Sequence, residues 1–222
     1  MIVETMTHEE VYMELARERE GVSAWWRHQL DAMQHRVKTA RKFPVYRWLE
    51  YTSPQKTRYL FFTRIFDKRM RTILTGSIVI RRTNDGMTTY STWLTHQLLI
   101  APMVMLPHMW RRYAERMGVA KSGAELVRHY FTHNAHGRDS NNQKAVARSV
   151  RYMDVEHLSC CVPEGVLLGQ MEGNLFIVHT FITYDMCSGL QAAEFGSKRD
   201  QIKTDAEIYR EALFFYRHGI PF

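Results

Sequence analysis

His129 and His133 stand four residues apart in His129-Tyr130-Phe131-Thr132-His133-Asn134-Ala135-His136. On a helix that spacing puts two imidazoles on one face, an arrangement able to chelate a transition metal. His136 would lie about 10 Å along the axis from His129, so the three rings cannot surround one ion. A metal site here needs the chain to turn at His136, or ligands from elsewhere, such as Asp139, His96 or His108. No H-E-x-x-H occurs, because Tyr130 and Phe131 follow His129. A surface or capping role for these histidines is therefore expected ahead of metal binding. Cleavage of RNA through its own 2′-hydroxyl requires a base, an acid and a cation near the phosphate. His96, His108 and His179 are the catalytic candidates for such a reaction. Arg111, Arg112, Tyr113 and Arg116 follow His108, and Tyr184 follows His179.

Cys160, Cys161 and Cys187 make no disulfide framework and no C-x-x-C, and they read as reduced, partly buried thiols. Cys160-Cys161 follows His157, but a thiolate nucleophile needs a base placed by the fold rather than by adjacency. There is no glycine-rich phosphate loop, no G-x-S-x-G, no zinc-finger spacing and no dinucleotide fingerprint, so no cofactor is expected. Glu164-Gly165 and Gly169 read as turn and bulge positions.

The charge is uneven. Residues 1–20 hold six acids and two bases. Residues 21–82 hold fourteen bases and three acids, and residues 83–222 hold fourteen of each. Such a local excess points to a polyanionic partner, RNA or DNA. The candidate contacts are Arg27, Lys38, Arg41, Lys42, Arg69, Arg71, Arg81 and Arg82. Tyr46, Trp48, Tyr51, Tyr59, Phe61 and Phe62 lie among the bases. They would serve as stacking platforms if exposed and as core if not.

The elements that must position these residues follow from pattern. Thr7 and Glu10 form a capping box that opens a helix over 8–20. Gly21-Val22-Ser23 interrupts or loosens it, and a second apolar stripe, Trp26, Leu30, Met33, Val37 and Ala40, predicts helix over 24–42. On that helix Arg27, Lys38, Arg41 and Lys42 fall together, and Pro44 closes it. Strands are predicted over 58–66, 72–82 and 87–97, with a further edge strand over 46–51 and an Asp85-Gly86 hairpin turn. Helices are predicted over 107–117, ending at Gly118, and over 123–133, opened by a Ser122/Glu125 capping box. Residues 137–142 read as a polar loop, and 144–152 as either helix or strand. A hairpin over 165–170 and 175–186 and a helix over 205–218 complete the chain. The expected fold is α+β: an antiparallel sheet, meander plus C-terminal hairpin, packed with several helices in one domain.

The segment His108-Met109-Trp110-Arg111-Arg112-Tyr113-Ala114-Glu115-Arg116-Met117-Gly118 resembles the H-x-x-x-R-x-x-E-R-x-G helix of some small toxin-type ribonuclease families. Their fold also pairs helices with an antiparallel sheet. The likeness covers eleven residues, and the rest of the chain does not follow the pattern. The bland alternative is a surface helix with Glu115 paired to Arg111 or Arg112.

No leader-like N-terminus is seen, and the longest apolar run, Leu98 to Leu106, is too short for a bilayer, which needs roughly 20 residues. The expectation is a cytoplasmic protein with no membrane partner. Three functions remain open: nucleic-acid binding through 27–82, a nuclease-type hydrolase, and an interaction module. The last would be a homodimer in which the basic face meets a neighbour's acidic N-terminal segment.

Overall fold

The computed structural model describes residues 2–70, 73–94, 99–134, 138–140 and 157–218. The chain is α+β, and its strands pair mostly antiparallel. Its contacts group it into two compact units. The first is Met1–Ile80 with Tyr90–Pro102 and Thr204–Phe222, and the second is Arg81–Thr89 with Met103–Lys203. No described helix is long and apolar enough to cross a membrane.

In the first unit, α1 (His8–Lys38) opens on the expected capping box. Thr7 Oγ1 accepts from Glu10 N at 3.2 Å, and Glu10 Oε2 accepts from Thr7 N at 2.8 Å. The helix runs unbroken through Gly21, where either an interruption or a loosening was expected. Val22 and Trp26 stay in helical register with Val11, Leu15, Met33 and Val37, all buried. Burying that stripe outweighs the roughly 1 kcal/mol that a mid-helix glycine costs. The helix stops at Lys38, and the Thr39 hydroxyl donates back to Arg36 O at 3.0 Å. Arg41 and Lys42 therefore lie beyond the helix instead of on it.

Strands β1 (Val45–Thr52), β2 (Arg58–Ile65) and β3 (Ile73–Thr83) pair antiparallel in that order, and β4 (Gly86–Leu94) follows as the expected meander requires. All of β2 but Arg58 is buried. Phe61 lies under both Trp25 and Trp26, with centroids 5.2 and 5.7 Å away. The buried Glu18 of α1 accepts from Thr57 Oγ1 at 2.7 Å and from the Tyr59 hydroxyl at 3.1 Å, which ties helix to strand. Burial, and then the Glu18 carboxylate, push the Tyr59 phenol well above its usual range. The last helix, α5 (Asp205–Arg217), opens on Thr204 and Glu207 as predicted, and its Tyr209 stacks on Phe66.

In the second unit, Met103–Met105 of β5 (Leu99–Met105) pair parallel with β9 (Leu175–Ile182). Beyond β9 come β8 (Gly165–Glu172), β7 (His157–Val162) and the short β6 (Arg138–Ser140), each antiparallel to its neighbour. The β8–β9 hairpin was expected. Strands β5, β6 and β7 were not, and β6 occupies part of the predicted polar loop. The register slips between Leu168 and Gly169, the predicted bulge. A Cβ at Gly169 would stand 2.0 Å from Ile177 O, so only hydrogen fits.

Helix α2 (Pro107–Met117) packs on β9, with Tyr113 edge-on to Phe181 at 5.1 Å and Arg116 donating to Phe181 O. It ends at Gly118, in the left-handed region at φ 63°. Helix α3 (Gly123–His133) starts after Ser122, whose side chain makes no capping bond, so the second capping box is not formed. Helix α4 (Leu190–Asp200), absent from the sequence reading, seats Phe195 in a cluster with Cys161, Val166 and Leu168. Cys160 and Cys161 are buried, and Cys187 is half-buried. Burial pushes the Cys161 thiol up to about 12.

Candidate functional site

The basic residues divide between the units. Arg27 and Lys38 are eleven positions apart on α1 and come within roughly 20° of each other around the axis, at 100° per residue. Both are exposed, on the side away from the buried stripe. Arg41, Lys42 and Arg69 are exposed in the same unit. Arg27 Nε donates to Ser23 O at 3.4 Å. Lys38, Arg41, Lys42 and Arg69 make no ion pair among the described residues. Arg81, half-buried, and Arg82, exposed, belong to the second unit, and Arg71 lies outside the described residues.

The interleaved aromatics are mostly core. Tyr59, Phe61 and Phe62 are buried, which removes them as stacking platforms. A β-strand covered on both faces has no exposed side for them. Trp48 and Tyr51 are half-buried, and Tyr51 already stacks on Trp25 at 4.7 Å. Tyr46 alone is classed as exposed, at 40%. The buried Arg64 guanidinium lies 5.6 Å from the Tyr46 ring and 5.2 Å from that of Phe62.

Of the catalytic candidates, His96 lies outside the described residues. His108 is exposed in the first turn of α2, where its Nε2 accepts from Arg112 Nε at 3.4 Å. Burial first, then Arg112, Arg111 and Arg116, hold it below the ordinary imidazole range. Arg112 also pairs with Glu115 at 3.0 Å, the intrahelical pair expected of a surface helix. His179 is exposed on β9, and Tyr184 falls in the short 3-10 turn after the strand rather than on it. Tyr184 donates to Val162 O at 2.7 Å.

The metal candidates sit together but do not gather ligands. The His129 and His133 rings lie 4.4 Å apart on α3, and His133 Nδ1 donates to His129 O at 2.8 Å. Among the described residues no three His, Cys, Asp or Glu side chains converge on a metal-sized point. His136 and the segment 144–152 lie outside the described residues.

The neighbours of His129 were not legible in the sequence. They are Tyr113 of α2, Asn134 after α3, and Glu164 in the turn between β7 and β8. A pocket of about 470 Å³ opens beside them. It is lined by Gly118 to Lys121 of the α2–α3 loop with His129, His133 and Glu164. No family model, curated protein or solved structure matches the chain.

Proposed function

We propose that the protein binds a polyanion of the nucleic-acid class through the exposed basic side chains of its first unit. One observation carries this reading. The chain's excess positive charge is confined to residues 21–82, and Arg27, Lys38, Arg41, Lys42 and Arg69 stand in solvent within one compact unit. Each cation that meets a phosphate releases condensed counterions, which favours binding without any base contact. With Tyr59, Phe61 and Phe62 in the core, base stacking contributes little and the binding is indifferent to sequence.

A gel-shift series with RNA and DNA, comparing wild type with the Arg27→Gln, Lys38→Gln, Arg41→Gln, Lys42→Gln variant, tests the reading. Binding at low salt that weakens at least tenfold in the variant supports it. Equal binding by both proteins, or none by wild type, ends it. The rival for the same surface is a homodimer that seats the acidic start of α1 against it. That rival predicts a mass in solution that falls in the same variant. A nuclease using His108 is the enzymatic reading, favoured by the Arg112 and Arg111 charges beside that imidazole. Labelled RNA left intact by wild type removes it.

A further inference from the structure

Tyr113, His129, Asn134 and Glu164 form a hydrogen-bonded chain whose proton positions can be counted. The Tyr113 hydroxyl donates its one proton to Glu164 Oε2 at 2.8 Å. Toward His129 Nδ1, 3.0 Å away, it offers only a lone pair. Nδ1 must then carry the ring proton, which leaves the lone pair on Nε2. Glu164 is fixed in turn. Asn134 Nδ2 donates to the same Oε2 at 2.5 Å, and Asn134 Oδ1 accepts from Glu164 N at 3.0 Å. Asn134 is 4% exposed, so this clamp is sheltered from water.

A carboxylate that fixes the tautomer of an imidazole orients it for use as a general base, and here Glu164 does so through the Tyr113 hydroxyl instead of directly. The alternative is a purely structural network. Two features argue against it: His129 stays partly exposed, and it lines the pocket of about 470 Å³ together with Lys121 and His133. That volume falls within the range of small-molecule clefts. We propose that this pocket is a proton-transfer site for a small anionic ligand, in which His129 Nε2 takes a proton from a ligand hydroxyl or a bound water while Lys121 pairs with the ligand's negative group.

The transfer turns a neutral imidazole and an O–H into an imidazolium and an oxygen nucleophile, with no change of oxidation state. The imidazolium keeps its Nδ1–H donated to Tyr113, and the Glu164 charge one hydroxyl away stabilises it. The groups facing His129 are His133 from its own helix, Lys121 from the α2–α3 loop, Tyr113 from α2 and Glu164 from the β7–β8 turn. Burial, then His133 and Lys121, hold His129 below the ordinary imidazole range, so the base form prevails near neutral pH. His129 is the catalytic residue in this proposal. Tyr113, Asn134 and Glu164 position it.

Nitrogen NMR of the full chain, labelled at histidine, reads the tautomer directly. The expected result is Nδ1–H for neutral His129, against the Nε2–H form that free histidine prefers. Tyr113→Phe should return it to Nε2–H. Millimolar inorganic phosphate should shift the His129 signals and raise its apparent pKa, and Lys121→Ala should abolish that response while leaving the tautomer unchanged. An Nε2–H tautomer in wild type overturns the proposal whether or not Tyr113→Phe folds. So does a wild-type His129 that does not respond to phosphate, or a Lys121→Ala protein that responds as wild type does.

Discussion

Glu18 and Glu164 are both carboxylates held by a tyrosine hydroxyl, one in each unit, yet they hold different things in place. Glu18 accepts from Tyr59 and Thr57 and is 7% exposed beneath α1. Its hydrogen bonds join a helix to a strand and end there. Glu164 accepts from Tyr113 and Asn134, and behind Tyr113 stands His129 at the edge of a pocket. The same acid–phenol pair is a clasp in one place and the back of a proton acceptor in the other. What separates them is a titratable ring with a free lone pair and a space for a ligand. The units also differ in where charge is spent. In the first, Lys38, Arg41, Lys42 and Arg69 make no ion pair among the described residues, and in the second Tyr113, Asn134 and Glu164 are tied to one another.

The comparison can be broken at several points. The largest effect is expected at Gly169, which sets the β8–β9 register of the second unit. Gly169→Ala drives a methyl into Ile177 O and should cost about 3 kcal/mol or more in urea unfolding. Glu18→Ala leaves the Thr57 and Tyr59 hydroxyls without their acceptor, and a loss of about 2 kcal/mol follows if the clasp is structural. No change in stability would deny it that role.

Tyr59→Phe and Tyr113→Phe should each cost about 1 kcal/mol, the net value of one hydrogen bond. Only the second should disturb His129, so equal spectra for the two variants would erase the distinction between clasp and relay.

Both phenols also ionise less readily folded than unfolded, through burial first and then their acidic partners. Such a group contributes stability in full below the ordinary tyrosine value near 10, and the contribution is lost as pH rises past it. Alkaline melting should fall off less steeply in either Phe variant than in wild type. The smallest effect, and of opposite sign, is expected at Gly21. It has open space around it inside α1, so Gly21→Ala should add about 0.5–1 kcal/mol.

Local signals carried much of the fold. The Thr7/Glu10 and Thr204/Glu207 boxes, the Asp85-Gly86 turn and the Gly118 stop are all read within four residues of the boundary they mark. Gly21 left a break and a loosening both open, because a glycine's helix cost is small beside the burial of Val22 and Trp26, which depends on partners far along the chain. Strand β5 was hidden by Pro102 within an apolar run, and α4 begins after Gly189 with no side-chain cap to announce it.

The His129 neighbourhood was beyond sequence reading for a different reason. Tyr113 and Glu164 are 51 residues apart, and only the packing of α2, α3 and the β7–β8 turn brings them to one histidine. The i, i+4 histidine spacing did mark the right helix, although the chemistry it suggested, metal binding, finds no third ligand among the described residues.

The most direct test of the central claim is a fluorescence titration of the full chain against labelled single-stranded RNA at a series of salt concentrations. If Arg27, Lys38, Arg41, Lys42 and Arg69 each meet a phosphate, log K should fall linearly with log salt, at a slope of about −0.7 per contact. The variant lacking the first four cations should lose most of that slope. Binding that is flat in salt, or a variant with the wild-type slope, would contradict the assignment of this surface to a polyanion.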